Sequence, residues 1–497
     1  MNRIRLNMGV AFLTKILIIV TGIISQRFVL TSFGSEINGL TSSISQFLSY
    51  FTLLEAGLGI ASLQALYKPL ANNDKEKVDG ILAATSIQYR CIGLAFLFVT
   101  VILSAAMPFI SHSSLPNGLV FLLTLLMGSA SVLNYLFIGR YQVMLRADQR
   151  VYVLDMLDSV LGISFRILNI LMMNGGWSIL SVYAVGLLSP ATRIIFLAVY
   201  FKINYPDLSY NVRPDFQETK KRKFVLVHQI VGMISAHTDV TIITLFSTLA
   251  HVSVYSVYNL IYANVNTVIT STFYSSVEPS FGRLVGNKDA KLKPLHRLYE
   301  ILYTFTMSWL MSCVLVMTIP FISLYTKGVT DIEYTDPVLA VLFMLSTYLG
   351  IIRIPALILV NTTGAFQETQ KGAIWEAVIN LTVSLPAYYF MGIRGLLVGT
   401  CISLLYRMLD VELYVYRNIL HEPLLRFVKL LMLNVALIFV VYWFFTFVRP
   451  IVVNGWRQWF LFGIIVAAIN TVFFAVLAVM IYGTELIRII KQYKKMK

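Results

Sequence analysis

The sequence predicts an all-α polytopic membrane protein with about 14 transmembrane helices. Of its 497 residues, 58% are hydrophobic and only 13% are charged, whereas soluble chains are about 45–50% apolar and about 25% charged. The apolar residues also fall into runs of about 20 residues, the length that a helix needs to cross a bilayer. Because lipid offers the backbone no hydrogen bonds, these runs are interpreted as helices. The composition excludes soluble nucleic-acid enzymes, cytosolic metabolic enzymes and disulfide scaffolds.

The predicted spans follow one another along most of the chain. They lie near residues 9–31, 40–66, 83–108, 118–140, 151–173, 177–201, 224–248, 252–280, 298–325, 337–361, 372–390, 395–416, 425–448 and 458–482. The first run is too long for a signal peptide and lacks a small-residue cleavage site, so it is interpreted as the first span.

Lysine and arginine predict the orientation. Of the 39 Lys and Arg residues, about three quarters, Arg297 and Arg407 among them, are assigned to connections on one side. The other side carries only Lys327, Arg394, Arg449 and Arg457. Because positively charged connections stay in the cytoplasm, both termini are expected to be cytoplasmic. The net charge of +15 is therefore read as a topology signal, and no nucleic-acid partner is predicted.

The connections argue against an enzyme. The longest outer connection runs from about Lys327 to Asp336 and leaves no room for the folded outer loop of a polysaccharide polymerase. The longer cytoplasmic connections contain no glycine-rich phosphate loop, so an ATP-driven pump is not predicted. The three cysteines, Cys91, Cys313 and Cys401, lie inside apolar runs and have no metal-site spacing. No metal and no cofactor are predicted.

A weak internal repeat predicts the domain organisation. The segment 67–75, which ends the second span, resembles the segment 282–291, which ends the eighth. The basic run Lys220–Lys223 falls between spans six and seven. We therefore predict two six-helix bundles, 1–215 and 216–420, in a pseudo-twofold arrangement, followed by helices 13 and 14 in 421–497. Parallel repeats of this kind place a substrate site between the halves.

Basic residues inside the spans are candidates for substrate binding, because a charge at membrane depth is costly and normally faces a cavity or a partner. Six residues qualify: Lys15, Arg27, Arg90, Arg166, Arg193 and Arg353. Arg27 and Arg90 lie near span ends, where snorkelling to the interface is an alternative. Arg166, Arg193 and Arg353 lie near mid-span. Because guanidinium groups match phosphate oxygens, these residues favour an anionic cargo.

Polar residues at helical spacing predict water-lined faces on several spans. Asp158, Arg166 and Asn169 share one face of span five, with Asp155 close enough to the cytoplasm to be simply solvated. The predicted lining consists of Asn169, Asn259, Tyr262, Asn266 and Asn380. Hydrogen bonding between helices is the alternative explanation.

Acidic residues in the spans are candidates for coupling to H⁺ or Na⁺. They are Glu55, Asp158, Asp239 and Glu376, with His228, about three helical turns from Asp239, as its candidate proton partner. A structural ion pair with a basic residue is the alternative role for each of them.

Several short motifs resemble the Wzx-type polysaccharide repeat-unit flippases of the multidrug/oligosaccharidyl-lipid/polysaccharide (MOP) superfamily. They are Phe33-Gly34-Ser-Glu36-Ile-Asn38-Gly39, Leu54-Glu55-Ala-Gly57-Leu-Gly59, Arg353-Ile-Pro, Gly364-Ala-Phe-Gln-Glu-Thr, Glu376-Ala-Val-Ile-Asn380 and Gly392-Ile-Arg-Gly395-Leu-Leu-Val-Gly399. By position, Arg353 matches the family's arginine before the span-ten proline, and Asp239 matches its span-seven acidic residue.

The resemblance implies a bacterial plasma-membrane transporter with twelve to fourteen helices and alternating access. It implies a cationic cavity that receives undecaprenyl-diphosphate-linked oligosaccharide, and a polysaccharide polymerase as a possible partner. Alternatives are a peptidoglycan-precursor flippase and a cation-coupled multidrug exporter of the same superfamily, and outside it a polysaccharide polymerase.

Overall fold

The chain is a multi-pass, all-helical membrane protein, as predicted. The computed structural model describes residues 2–55, 58–209, 212–216, 233, 238–287, 289–448 and 452–495, and these residues form fourteen helices without a strand. The helices are α1 Asn2–Phe51, α2 Leu58–Ala71, α3 Lys75–Ile110, α4 Asn117–Ala147, α5 Val151–Asn174, α6 Ile179–Asn204, α7 238–246, α8 249–286, α9 Leu292–Tyr325, α10 Pro337–Thr363, α11 Phe366–Met391, α12 393–420, α13 Leu425–Val448 and α14 Trp456–Lys495.

Thirteen of the predicted spans fall on these helices, and most of the seventh, 224–248, lies outside the described residues. Within the described part of the chain, nine helices are long and apolar enough to cross a membrane by themselves. The predicted spans on α8, α11 and α12 do not reach that measure. Span one and the first part of span two share the helix α1, which bends at Gly34, and the rest of span two continues into α2.

The bend at Gly34 replaces the outer turn expected between spans one and two. Gly34 has φ 84° and ψ 176°, a conformation that a residue with a Cβ rarely adopts. Asp331 caps the second half of α1, because its carboxylate accepts hydrogen bonds from the Ser35 backbone N–H at 2.8 Å and from the Ser35 hydroxyl at 2.6 Å. The capping carboxylate satisfies donors that the break in the helix leaves without partners.

The contacts divide the chain into two compact units. The N-terminal unit comprises Met1–Val254 with Gly328–Ile332, and the C-terminal unit comprises Tyr255–Lys327 with Glu333–Lys497. Each unit has its own apolar core, built around Phe96 in the first and Phe305 in the second. The division into 1–215, 216–420 and 421–497 stays a prediction, and its joint at Lys220–Lys223 lies outside the described residues.

Close approach of two backbones in the N-terminal unit requires Gly39. A Cβ on Gly39 would lie 1.8 Å from the Leu249 carbonyl oxygen, at the start of α8. We therefore expect Gly39→Ala to lower the free energy of unfolding by about 1–3 kcal/mol, the usual cost of overpacking. The matched control is Gly162→Ala in α5, where nothing lies within 4 Å of the new methyl group. Thermal unfolding in detergent measures both variants, and equal stability of the two would contradict the assignment.

Candidate functional site

In the N-terminal unit, Arg193 is paired. Its guanidinium, on α6, lies 2.9 Å from an Asp158 carboxylate oxygen on α5 and donates over 3.5 Å to the Asn134 side-chain oxygen. Arg193 is nearly buried, whereas Asp158 is substantially exposed. The Arg193 Nε is buried and has no hydrogen-bond partner among the described residues. The structural ion pair that the sequence left open is therefore present, and one guanidinium donor remains unused.

Arg166 contacts backbone rather than a carboxylate. From α5 it donates hydrogen bonds to the Ile18 carbonyl and, over 3.4 Å, to the Thr21 hydroxyl, both on α1. The small residue Gly22 leaves room for this contact, since a Cβ there would lie 3.3 Å from the Arg166 Nη1. No ion pair to Arg166 occurs within the described part of the chain. Its positive charge is therefore not neutralised by a neighbouring acid in that part.

The remaining basic candidates differ in placement. Arg90 is exposed on α3, and Arg27 is half-buried on α1. Lys15 lies in α1, but its side chain is outside the described residues. An exposed Arg90 inside a membrane-spanning helix fits either of the two roles considered from the sequence, cavity lining or snorkelling.

A polar-rimmed cavity lies between α1, α4, α5 and α6 of the N-terminal unit. Its volume is about 410 Å³, and the side chains around it supply hydroxyl and amide groups. These polar residues are Ser45, Ser49, Thr52, Ser131, Asn169 and Tyr183. The side-chain oxygen of Asn169 is buried and has no hydrogen-bond partner among the described residues. Asn169 therefore lines a cavity, and its side-chain oxygen can accept a hydrogen bond from a molecule bound there.

The acidic candidates of this unit have distinct surroundings. Glu55, in a short 3₁₀ turn after α1, accepts a hydrogen bond from the Tyr89 hydroxyl at 2.6 Å. Asp239 is buried in α7, 6% exposed. His228, its predicted proton partner, lies outside the described residues. The coupling roles of these residues stay predictions.

In the C-terminal unit, Arg353 and Glu376 meet at a break in α10. The helix is interrupted at Arg353 because Pro355 has no N–H for the Ile351 carbonyl, and the Tyr303 hydroxyl donates to that carbonyl instead, at 2.9 Å. The Nη1 of Arg353 lies 3.5 Å from a Glu376 carboxylate oxygen on α11. Both side chains are largely buried.

Arg407 joins this pair, although the sequence analysis counted it among the cytoplasmic connections. It lies inside α12, with its Nε 3.5 Å from the other Glu376 oxygen and its Nη1 2.6 Å from Asp410. A Cβ on Gly372 would lie 1.8 Å from the Asp410 carboxylate, so glycine admits the pair between α11 and α12. The position of Arg407 indicated a place in the membrane-spanning helix, because residue 407 falls within the predicted span 395–416.

The predicted polar lining separates into exposed and packed residues. Asn259 and Asn266 are exposed on α8. Tyr262 is instead 1% exposed, and its hydroxyl lies 3.1 Å from both the Thr318 hydroxyl and the Ala340 carbonyl. Asn380 is buried and donates across to Thr400 at 3.2 Å. Tyr262 and Asn380 thus hold helices together, which is the alternative role named for such residues.

A second charged cluster was not predicted from the sequence. Arg297, also counted with the cytoplasmic connections, lies in α9 and contacts Glu300 at 2.7 Å and Glu485 of α14 at 2.8 Å. The Tyr416 hydroxyl donates to Glu300 at 2.8 Å. The spacing of Arg297 and Glu300, three residues apart at the start of an apolar run, was the available signal.

Several solved structures of membrane transporters have a similar fold. The chain is similar to the lipid II flippase MurJ in an inward closed conformation, with a TM-score of 0.72 and 14% identity over 96% of this chain and 99% of that one. The two chains therefore share a fold.

Two further neighbours are multidrug resistance transporters of the MATE family. The inward-facing one matches with a TM-score of 0.61 and 13% identity over 85% of this chain and 94% of its own. The outward-facing one matches with a TM-score of 0.51 and 15% identity over 88% and 95%. No protein-family model and no curated protein sequence matches the chain.

Proposed function

We propose that this chain is a flippase that moves undecaprenyl-diphosphate-linked oligosaccharide repeat units from the cytoplasmic to the outer leaflet of a bacterial plasma membrane. The observation that carries the proposal is the fold shared with a lipid II flippase over nearly the full length of both chains. The mechanism proposed is alternating access with a cationic central cavity, which parallel helical repeats permit.

Unused guanidinium donors support an anionic cargo. The Nε of Arg353 and the Nε of Arg193 are each buried without a hydrogen-bond partner among the described residues. A buried donor without an acceptor is costly, and phosphate oxygens are the acceptors that guanidinium groups bind best. Arg166 adds a charge without a described acidic partner. A diphosphate would satisfy such donors, whereas a cationic drug would be repelled by them.

Two alternatives remain within the superfamily. A flippase for lipid II is the second candidate, because that is the cargo named for one structural neighbour. A multidrug exporter is the third, favoured by the MATE neighbours and disfavoured by the unpaired arginine donors. Coupling to H⁺ or Na⁺ through Asp239, Glu55 or Glu376, and delivery to a polysaccharide polymerase, belong to the proposal.

Lipid analysis of a strain that lacks the gene tests the proposal. We expect complete diphosphate-linked repeat units to accumulate where outer-face reagents cannot reach them, and their mass identifies the cargo. Accumulation at the outer face would indicate a polymerase instead. Accumulation of lipid II would select the second candidate, and new drug sensitivity without any lipid accumulation would select the exporter.

The proposed orientation predicts a labelling pattern. In a variant whose three cysteines are replaced by serine, single cysteines at the exposed positions His112 and Gly175 should react with a membrane-impermeant thiol reagent added to cells. Single cysteines at the exposed positions Asn72 and Asn287 should react only after the membrane is opened. The positive-inside rule is the physical reason for this expectation. The reverse pattern would place both termini outside.

A further inference from the structure

The cluster around Arg297 holds more carboxylates than cations. Arg297 is its one described arginine, and the guanidinium serves both Glu300 and Glu485. Its plane also lies over the Tyr482 ring, 5.8 Å from the centroid. Glu300 is 1% exposed and fully engaged, since its oxygens accept from Arg297 and from the Tyr416 hydroxyl. The Arg297 charge is therefore already shared between two acids.

Glu412, one turn before Tyr416 on α12, is a third acid beside this cluster. It is 1% exposed, and its Oε2 is buried without a hydrogen-bond partner among the described residues. Its interacting charged neighbour is the carboxylate of Glu300. No ion pair to Glu412 occurs in the described ranges. Of the two arginines equally near along α12, Arg407 is held by Glu376 and Asp410, and Arg417 is exposed.

The other titratable groups of the cluster supply no positive charge to Glu412. His296, beside Arg297 on α9, is 1% exposed with its Nε2 unpartnered among the described residues, an environment that favours neutral imidazole. The Tyr416 and Tyr482 hydroxyls are neutral. An ionised Glu412 would thus be a desolvated anion facing another anion, the arrangement in which two carboxyl groups retain a proton.

We propose that Glu412 is a proton-binding site, at which one proton from water converts the carboxylate to a neutral acid in this conformation of the C-terminal unit. The step neutralises the carboxylate and requires no other reactant. Release of the proton requires that water or a cation reach Glu412, which a change in the contact between Tyr416 of α12 and Glu300 of α9 would allow. Coupling of this proton to cargo movement rests on the proposed function, whereas proton binding itself does not.

Infrared difference spectroscopy of the purified full-length chain in lipid vesicles tests the proposal. At neutral pH we expect a carboxylic-acid carbonyl band that is lost in Glu412→Gln. The matched control is Glu368→Gln, which removes an exposed glutamate from α11 and should retain the band. A wild-type spectrum from which Glu412→Gln removes no acid band would overturn the assignment, whatever the cargo of the transporter proves to be.

Thermal unfolding provides a second readout that does not depend on transport. Because the unfolded chain ionises this carboxyl in its ordinary range whereas the proposed site keeps the proton, wild-type stability should fall as the pH is raised from that range to the alkaline pH at which the folded chain loses the proton. Glu412→Gln keeps the shape of the protonated acid and cannot ionise in the unfolded chain, so we expect its midpoint at neutral pH to lie above that of the wild type. The stability that Glu412→Gln loses on going to alkaline pH should be smaller than the stability that Glu368→Gln loses. Equal losses in the two variants would contradict proton binding at Glu412.

Discussion

Arg297→Ala is expected to lower the free energy of unfolding by about 3–5 kcal/mol, the typical cost of leaving a buried charge without its partner. Glu300 has a side chain only 2% exposed, and after the substitution it keeps only the hydrogen bond from Tyr416. Glu485 also loses its contact with α9. Chemical unfolding in detergent measures the loss.

Two further variants identify the cause of that destabilisation. Adding Glu300→Gln to Arg297→Ala removes the uncompensated charge and should restore part of the stability. Lys75→Ala breaks an ion pair with Asp207 whose partners are both mostly exposed, so it should change stability little. If Arg297→Ala were as stable as Lys75→Ala, the cluster would not contribute to the fold.

Arg353→Ala is expected to reduce transport by about ten- to a hundredfold while protein abundance stays near normal. The size of the effect is that of losing a charged hydrogen-bond donor to the cargo, about 1.5–3 kcal/mol. Abundance should be maintained because Glu376 still lies 3.5 Å from Arg407. Flux of a diphosphate-linked lipid in vesicles, with quantified protein, measures both quantities.

The conservative and control variants separate binding from folding. Arg353→Lys keeps the charge but loses the planar fork, so transport should be intermediate. Arg166→Ala should cause a comparable loss in the N-terminal unit. Arg457→Ala removes an exposed arginine from the start of α14 and should leave transport unchanged. Wild-type flux in Arg353→Ala would remove the argument for an anionic cargo at this position.

The periodic face on α8 shows the limit of pattern analysis. Residues 255, 259, 262 and 266 recur at helical spacing, yet Asn259 is exposed whereas Tyr262 is packed beside Phe343, with ring centroids 5.9 Å apart. Residues that recur every three or four positions cover a broad sector of the helix surface. Which part of that sector is buried depends on where the neighbouring helix packs.

The arginines illustrate the same limit. Arg297 lies directly before the predicted span 298–325, whereas Arg407 was assigned to a connection although it lies inside the predicted span 395–416. Each pairs with an acid three residues on along its own helix and also with an acid on another helix, Glu485 lying 188 residues from Arg297. A pairing at such separation depends on the register between packed helices, and the sequence does not encode that register in any local pattern.

The sequence by itself determined the all-helical membrane class and the positions of thirteen described spans, because the cost of exposing backbone and charge to lipid is set locally by each run of residues. It also singled out Arg353 and Glu376, which meet in the C-terminal unit. Only the tertiary structure decided which charges are neutralised and which donors and acids remain unsatisfied, because that balance depends on side chains brought together by packing.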